Sequence, residues 1–262
     1  MYEGLIAETT SITGHNGDSI EAYAARPIGV VPAPGVVVIH HMPGWDEWTK
    51  EVVRKFAHRG YASIAPHLFS RFGPGAPEDM AAAARAAGGV ADAQVVGDVG
   101  AAARWLKSRP YSNGKVGIIG FCSGGRQAYM LACKLDSIDA AVDCWGGRVI
   151  AAPEDLTPLR PQAVIEMTPD MRVPLLGIFG NDDANPDVEQ VNRTEAELRR
   201  LGKDYEFHRY DGAGHGFFAT DRPGYRPEQA VDGWKKVFAF YERHLAAGTG
   251  LPSAARVPAL SS

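Results

Sequence analysis

The stretch Val116-Gly117-Ile118-Ile119-Gly120-Phe121-Cys122-Ser123-Gly124-Gly125 constrains the fold more than any other part of the chain. Its apolar run reads as a strand buried on both faces, and across the turn Gly120 to Gly125 it leads to Arg126 to Leu135, a helical segment. Similar runs occur at Val36 to Ile39 and Leu175 to Phe179, with weaker ones at Tyr61 to Ala65 and Ala140 to Val142. Helix-period segments lie between them. Trp48, Val52 and Phe56 share one face, as do Val95, Val99 and Leu106. Near the end, Val231, Trp234, Phe238, Tyr241 and Leu245 are spaced by three and four, an apolar stripe that covers a sheet. Strands alternating with helices imply right-handed crossovers and a mostly parallel, doubly wound α/β sheet with helices on both faces. Thr9 to Thr13 and Ser19 to Ala25 flank a turn-rich Gly14-His15-Asn16-Gly17-Asp18, which predicts an antiparallel hairpin at the N-terminal edge.

The pattern continues without a composition break, so a single domain is expected over residues 1–246, with a flexible tail at 247–262 that is rich in Ala, Gly and Ser. The long connection that starts at Phe72-Gly73-Pro74-Gly75-Ala76-Pro77 is placed to overhang a site. Lys and Arg number 27 against 31 Asp and Glu, a formal charge of -4. Neither a nucleic-acid nor an anionic membrane partner is expected at that balance. No apolar run reaches ~18 residues, the length of a spanning helix. Met1 to Glu8 lacks the basic start and apolar core of a secretory leader. The three cysteines, Cys122, Cys133 and Cys144, do not form a disulfide framework, which points to a reducing cytoplasm.

Chemistry concentrates on Cys122. It stands in G-x-C-x-G at a strand-to-helix turn, where the glycines allow a sharp backbone bend that projects the side chain out of the sheet. The helix N-terminus beneath favours a thiolate and offers the Ser123 N–H to an oxyanion. A thiol nucleophile needs a base oriented by an acid. His215, in Gly212-Ala213-Gly214-His215-Gly216-Phe217 after the strand-like Tyr205 to Tyr210, is the candidate base. The acid is sought after the strand that ends at Phe179, in Gly180-Asn181-Asp182-Asp183. Asp183 is favoured, with Asp182 or Asp143 in reserve. A second oxyanion donor is expected from the loop after the first parallel strand, His40-His41-Met42-Pro43-Gly44-Trp45. There Met42 N–H is the natural candidate, because Pro43 cannot donate. Adjacent His40 and His41 point to opposite faces of a strand, and no ligand cluster lies near them in sequence, so no metal is expected.

Together these residues resemble the dienelactone hydrolase family, also called carboxymethylenebutenolidases, within the α/β-hydrolases. The likeness runs from about residue 15 to 245. It is most specific at Gly120 to Gly125, Gly180 to Asp183 and Gly214 to Phe217. The resemblance implies an α/β-hydrolase fold and a cofactor-free Cys–Asp–His hydrolase that opens an enol-lactone through an acyl-thioester. It matches Cys122 to the nucleophile, Asp183 to the acid, His215 to the base, and the amides of Met42 and Ser123 to the oxyanion hole. Two departures stand out. His41 occupies the place where members acting on dienelactone carry a glutamate. It serves either to hold the thiol as an ion pair, to bind a polar group of the substrate, or as a wall residue bonded to backbone. Phe218-Ala219 replaces the arginine that follows the histidine, leaving Arg148, Arg126, Arg85 or Arg71 as carboxylate-binding candidates. Trp45, Trp145 and Phe217 are candidates for an apolar pocket wall. The expected ligand is a small-molecule ester or lactone, handled by a monomer or small homo-oligomer. A thioesterase or acyltransferase on the same triad, and a non-catalytic binding protein on the same scaffold, are the rival readings.

Overall fold

The computed structural model describes residues 4–29 and 32–246, so the expected tail at 247–262 lies outside the described residues. Among the described residues, eight strands form one sheet. They are β1 (Leu5–Thr13), β2 (Ser19–Pro27), β3 (Ala33–Ile39), β4 (Ala62–Pro66), β5 (Ser112–Phe121), β6 (Ala140–Cys144), β7 (Leu175–Gly180) and β8 (Tyr205–Tyr210). Six helices accompany them: α1 (Glu47–His58), α2 (Pro77–Ala86), α3 (Asp92–Lys107), α4 (Ser123–Lys134), α5 (Val188–Arg200) and α6 (Pro227–Leu245). The strand order is β1-β2-β4-β3-β5-β6-β7-β8. From β4 through β8 every neighbouring pair is parallel, while β2 pairs antiparallel with both β1 and β4. The N-terminal hairpin is therefore present, and β2 alone runs against the rest. With its mostly parallel sheet and helices on both faces, the chain has the α/β-hydrolase fold.

Period-2 alternation in fully buried strands divides the core. Val37, Ile39 and Ile118 join one cluster with Val95, Val99 and Leu106 of α3 and Tyr129 and Leu131 of α4. Val36, Val38, Ile119 and Phe121 face the other way, toward Trp48, Val52 and Phe56 of α1 and Trp234, Phe238 and Tyr241 of α6. Each such side chain taken from water contributes about 1.5–3 kcal/mol, which is why short strands with no polar face suffice here. Val231 departs from expectation: it is exposed on α6 while Trp234 and Tyr241 of the same stripe are buried. It stands one residue after the buried Ala230, on the face of α6 turned to solvent.

Helix α4 begins at Ser123, three residues earlier than its composition suggests, so the turn after β5 is a single residue, Cys122. The connection after β4 is not a structureless overhang. Pro77 at the first turn of α2 starts a helix, as proline does where its missing N–H is not needed. The same connection places Leu68, Phe69, Gly89 and Val90 along a cleft bordered by Met42 and Ser123.

Candidate active site

Cys122 adopts φ 57, ψ −117, a region that costs a non-glycine residue about 1–3 kcal/mol. Backbone bonds hold it there: Cys122 N donates to Cys144 O at 3.0 Å, and Cys122 O accepts from Gly125 N at 3.0 Å and Arg126 N at 3.2 Å. The glycines on either side serve a different purpose from the one their sequence context suggests. Neither Gly120 nor Gly124 has a positive φ. A Cβ on Gly120 would sit 1.8 Å from Gly124 O, and one on Gly124 would sit 2.5 Å from Ile39 O. They are required because helix and strands approach backbone to backbone, while the strained conformation falls on the cysteine itself.

That packing brings four strand ends together. The Cys122 thiol is within hydrogen-bonding reach of the His215 ring and of the Ser123 and Met42 amides. Burial pushes the thiol up. The hydrogen bond and charge of His215, with the two amides, outweigh burial and bring it below its ordinary value. Burial likewise acts to lower His215, but hydrogen bonds and charge from Asp183 and Cys122 raise it to about 10. Both shifts run toward charge separation between the thiol and the imidazole.

His215 Nδ1 donates to Asp183 Oδ2 at 2.8 Å, which leaves the other ring nitrogen for sulfur. Asp183 is itself fixed, since its Oδ1 accepts from Asn185 N at 2.8 Å and its carboxylate is 3 % exposed. Of the reserve acids, Asp182 is exposed and its N–H bonds Ala213 O. Asp143 is buried, with its Oδ1 accepting from Gly146 N at 2.8 Å, and burial pushes its carboxyl up to about 7.

Several of the remaining candidates sit elsewhere than expected. His41 Nε2 lies 2.6 Å from Asp46 Oδ2, and its ring is 5.1 Å from that of Trp48. It is thus engaged by a carboxylate rather than by the thiol. Trp45 is buried, its Nε1 donating to Ala65 O at 3.0 Å and its ring stacked on His67. Phe217 is fully buried against Trp145, Phe218 and Tyr210. Both pack into the core: Phe217 lies among three aromatic rings, and Trp45 has His67 stacked on it and Lys50 Nζ over its ring at 4.5 Å. Trp145 is also buried, yet its ring backs His215 edge-on at 6.5 Å. Arg148 is exposed and lines a cleft with Arg126 and Arg160, while Arg126 is occupied by a bidentate pair with Asp92.

Asp46 escaped the sequence reading although its signal was present. It precedes the apolar stripe of α1 and caps that helix, accepting from Thr49 N at 2.9 Å. Burial acts to raise it, and the bonds from His41 and Thr49 prevail, holding it at about 2. Its Oδ2 is also 3.8 Å from Arg222 Nη2, which ties the Met42 loop to the segment after His215. Among the described residues no group of three or more His, Cys, Asp or Glu is placed to hold a metal ion, and no helix is long and apolar enough to cross a membrane.

Residues 20–245 match the dienelactone hydrolase family. The chain belongs to that family. It is 33 % identical over 244 residues to a candidate carboxymethylenebutenolidase of Methylorubrum extorquens, covering 92 % of this chain and 82 % of the relative. A counterpart in Escherichia coli is 31 % identical over 247 residues, covering 92 % and 89 %. The crystal structure of a candidate dienelactone hydrolase from Klebsiella pneumoniae superposes with a TM-score of 0.85 at 30 % identity, over 92 % of this chain and 100 % of that one. This protein is a dienelactone hydrolase-like hydrolase.

Proposed function

We propose that the enzyme hydrolyses an activated ester or lactone by covalent catalysis through Cys122. One observation carries the reading: a single strained residue sets a thiol against His215, itself 2.8 Å from Asp183, while the Met42 and Ser123 amides converge on the same sulfur. The Cys122 sulfur attacks the carbonyl carbon, and the carbonyl oxygen takes up charge between those amides. The tetrahedral adduct collapses as the C–O bond breaks and His215 gives its proton to the departing oxygen. His215 then takes a proton from water, hydroxide adds to the thioester, the C–S bond breaks, and the acid leaves with the thiolate restored. Asp183 keeps the imidazole in the tautomer that faces sulfur throughout.

A thiolate leaves a tetrahedral adduct more readily than an alkoxide does, so attack on a plain alkyl ester tends to reverse. Enol, aryl and thioesters escape this because their leaving groups compete with sulfur. An aryl ester is therefore expected to turn over at least tenfold faster than the ethyl ester of the same acid, a difference of about 1.4 kcal/mol in the barrier. Equal rates would count against a thiolate nucleophile. All three cysteines are free, which suits a reducing compartment, and we place the activity in the cytoplasm.

The direct test mixes the protein with p-nitrophenyl acetate and follows both p-nitrophenol and intact mass. The expected result is turnover abolished in Cys122→Ala and His215→Ala, with an acetyl adduct trapped on Cys122 of the wild type. An enzyme that acylates without turning over supports an acyltransferase instead. A wild type whose Cys122 never reacts supports a binding protein.

A further inference from the structure

Beyond the two oxyanion donors lies a small cleft of about 40 Å³ bordered by Met42, Ser123, His40, Gln127, Arg126 and Arg160. Three polar atoms of these residues are buried without a partner: His40 Nε2, Gln127 Oε1 and Arg160 Nε. Buried polar groups are ordinarily satisfied, and these three unpartnered atoms belong to residues around one cleft beside Met42 and Ser123.

The hydrogen-bonding sense of the cleft follows from its neighbours. His40 Nδ1 lies 2.9 Å from the His41 carbonyl oxygen, which can only accept. Nδ1 therefore carries the proton, and Nε2 presents a bare lone pair. Complete burial holds His40 down at about 3, so it stays neutral and Nε2 remains an acceptor across the working range of pH. His67, at 6.4 Å between ring centroids, is stacked on Trp45 and does not border the cleft. Gln127 adds a second acceptor, and Arg160 Nε–H is a donor. Arg126 brings little free charge, because both its terminal nitrogens are held by Asp92 at 2.8 and 3.0 Å. Arg160 gives one of its nitrogens to Gly88 O at 2.6 Å.

Two acceptors and one donor suit hydroxyl groups, each of which donates one hydrogen and accepts others. A carboxylate suits them poorly. It would pair with Arg160 but set filled lone pairs against the bare Nε2 of His40. We propose that this cleft is a hydroxyl-binding subsite, and that the preferred ester or lactone carries hydroxyl groups on the carbon chain next to its carbonyl rather than a bare carboxylate. The proposal rests on the hydrolase reading above, since the cleft opens at the oxyanion donors of that reaction.

The test compares kcat/KM for the p-nitrophenyl esters of butanoate, 3-hydroxybutanoate and succinate (as the hemiester anion). The hydroxylated ester is expected to exceed butanoate about tenfold, the effect of satisfying one buried orphan, and to exceed the hemisuccinate as well. In Gln127→Leu and His40→Phe the ratio of hydroxylated to plain ester is expected to fall toward one. Because it is a ratio within each variant, it is insensitive to how much active protein survives. A wild-type ratio near one, a preference for the hemisuccinate, or a ratio unchanged in both variants would overturn the subsite. If butanoate turns over through Cys122 with no hydroxyl preference, the subsite alone fails. If no ester acylates Cys122, the hydrolase reading fails and the subsite with it.

Discussion

Replacing Gly124 with alanine tests whether the site depends on backbone packing rather than on backbone flexibility. The new methyl would lie 2.5 Å from Ile39 O and 2.8 Å from His40 O, both main-chain atoms that no rotamer change can move. An ordinary carbon–oxygen contact of about 3.3 Å requires α4 and the end of β3 to part by roughly 0.8 Å. Those two segments carry Ser123 and Met42, so the displacement widens the gap between the two proposed oxyanion donors. A shift near 1 Å, or loss of one donor, costs on the order of 100-fold in rate. Overpacking of about 1–3 kcal/mol should lower Tm by roughly 5 °C in a protein of this size. The assay is kcat/KM on p-nitrophenyl acetate beside thermal unfolding and the rate of Cys122 alkylation by iodoacetamide. Ester turnover is expected to fall far more than alkylation, because alkylation needs the thiolate but not the oxyanion donors. Gly75→Ala, whose methyl meets nothing closer than 3.5 Å, serves as the silent control. A Gly124→Ala enzyme within threefold of wild type, with an unchanged Tm, would refute the packing argument.

Other expectations follow from the same geometry. His215 is raised from 6.5 to about 10, so the stabilisation it gains from Asp183 and Cys122 is complete below 6.5 and is lost as pH rises through about 10. The alkaline limb of kcat/KM should fall in that same region, and a limb near 7 would show that no ion pair forms. Asp183→Asn should lower kcat by about 10²–10⁴ and move the Cys122 alkylation profile to higher pH, since it removes the charge that favours the imidazolium. An unmoved alkylation profile would assign the pair's stability to other groups. Asp92→Ala should cost about 3–5 kcal/mol by stranding the buried Arg126 charge, whereas Asp92→Leu combined with Arg126→Met should recover most of the loss. Urea unfolding distinguishes the two, and equal destabilisation of both variants would contradict this account.

Much of the fold could be read from the chain because its strands are buried on both faces and therefore appear as uninterrupted apolar runs. Val36 to Ile39, Val116 to Ile119 and Leu175 to Phe179 all became strands near their expected limits. The meeting of Cys122, Asp183 and His215 was legible for a related reason: each lies within five residues of the end of a strand, so the sheet fixes where it emerges. What failed were inferences from residue type without a partner in sequence. Trp45 and Phe217 resembled pocket walls, but an aromatic ring carries no local mark that separates a wall from a core. His41 resembled a partner for the thiol. The group that holds it, Asp46, appeared as an ordinary helix cap, and caps seldom draw attention as site residues. His40, Gln127 and Arg160 lie on three unconnected segments, and nothing in a linear reading joins them.

The loops that carry Asp183 and His215 are stitched to each other. Asn181 N donates to Tyr210 O and Asp182 N to Ala213 O, each at 2.9 Å, so Asp183 and His215 travel together. The thiol and both amide donors belong to the ends of β3 and β5, with β6 standing between them and that pair. The machinery is thus two prefabricated halves meeting at one joint, the gap between sulfur and imidazole. Wear, inhibition and evolutionary tinkering should all register first at that joint. Exchanging the sulfur of Cys122 for oxygen would leave the far half untouched, and breathing of the sheet would alter the joint while sparing the bond within each half.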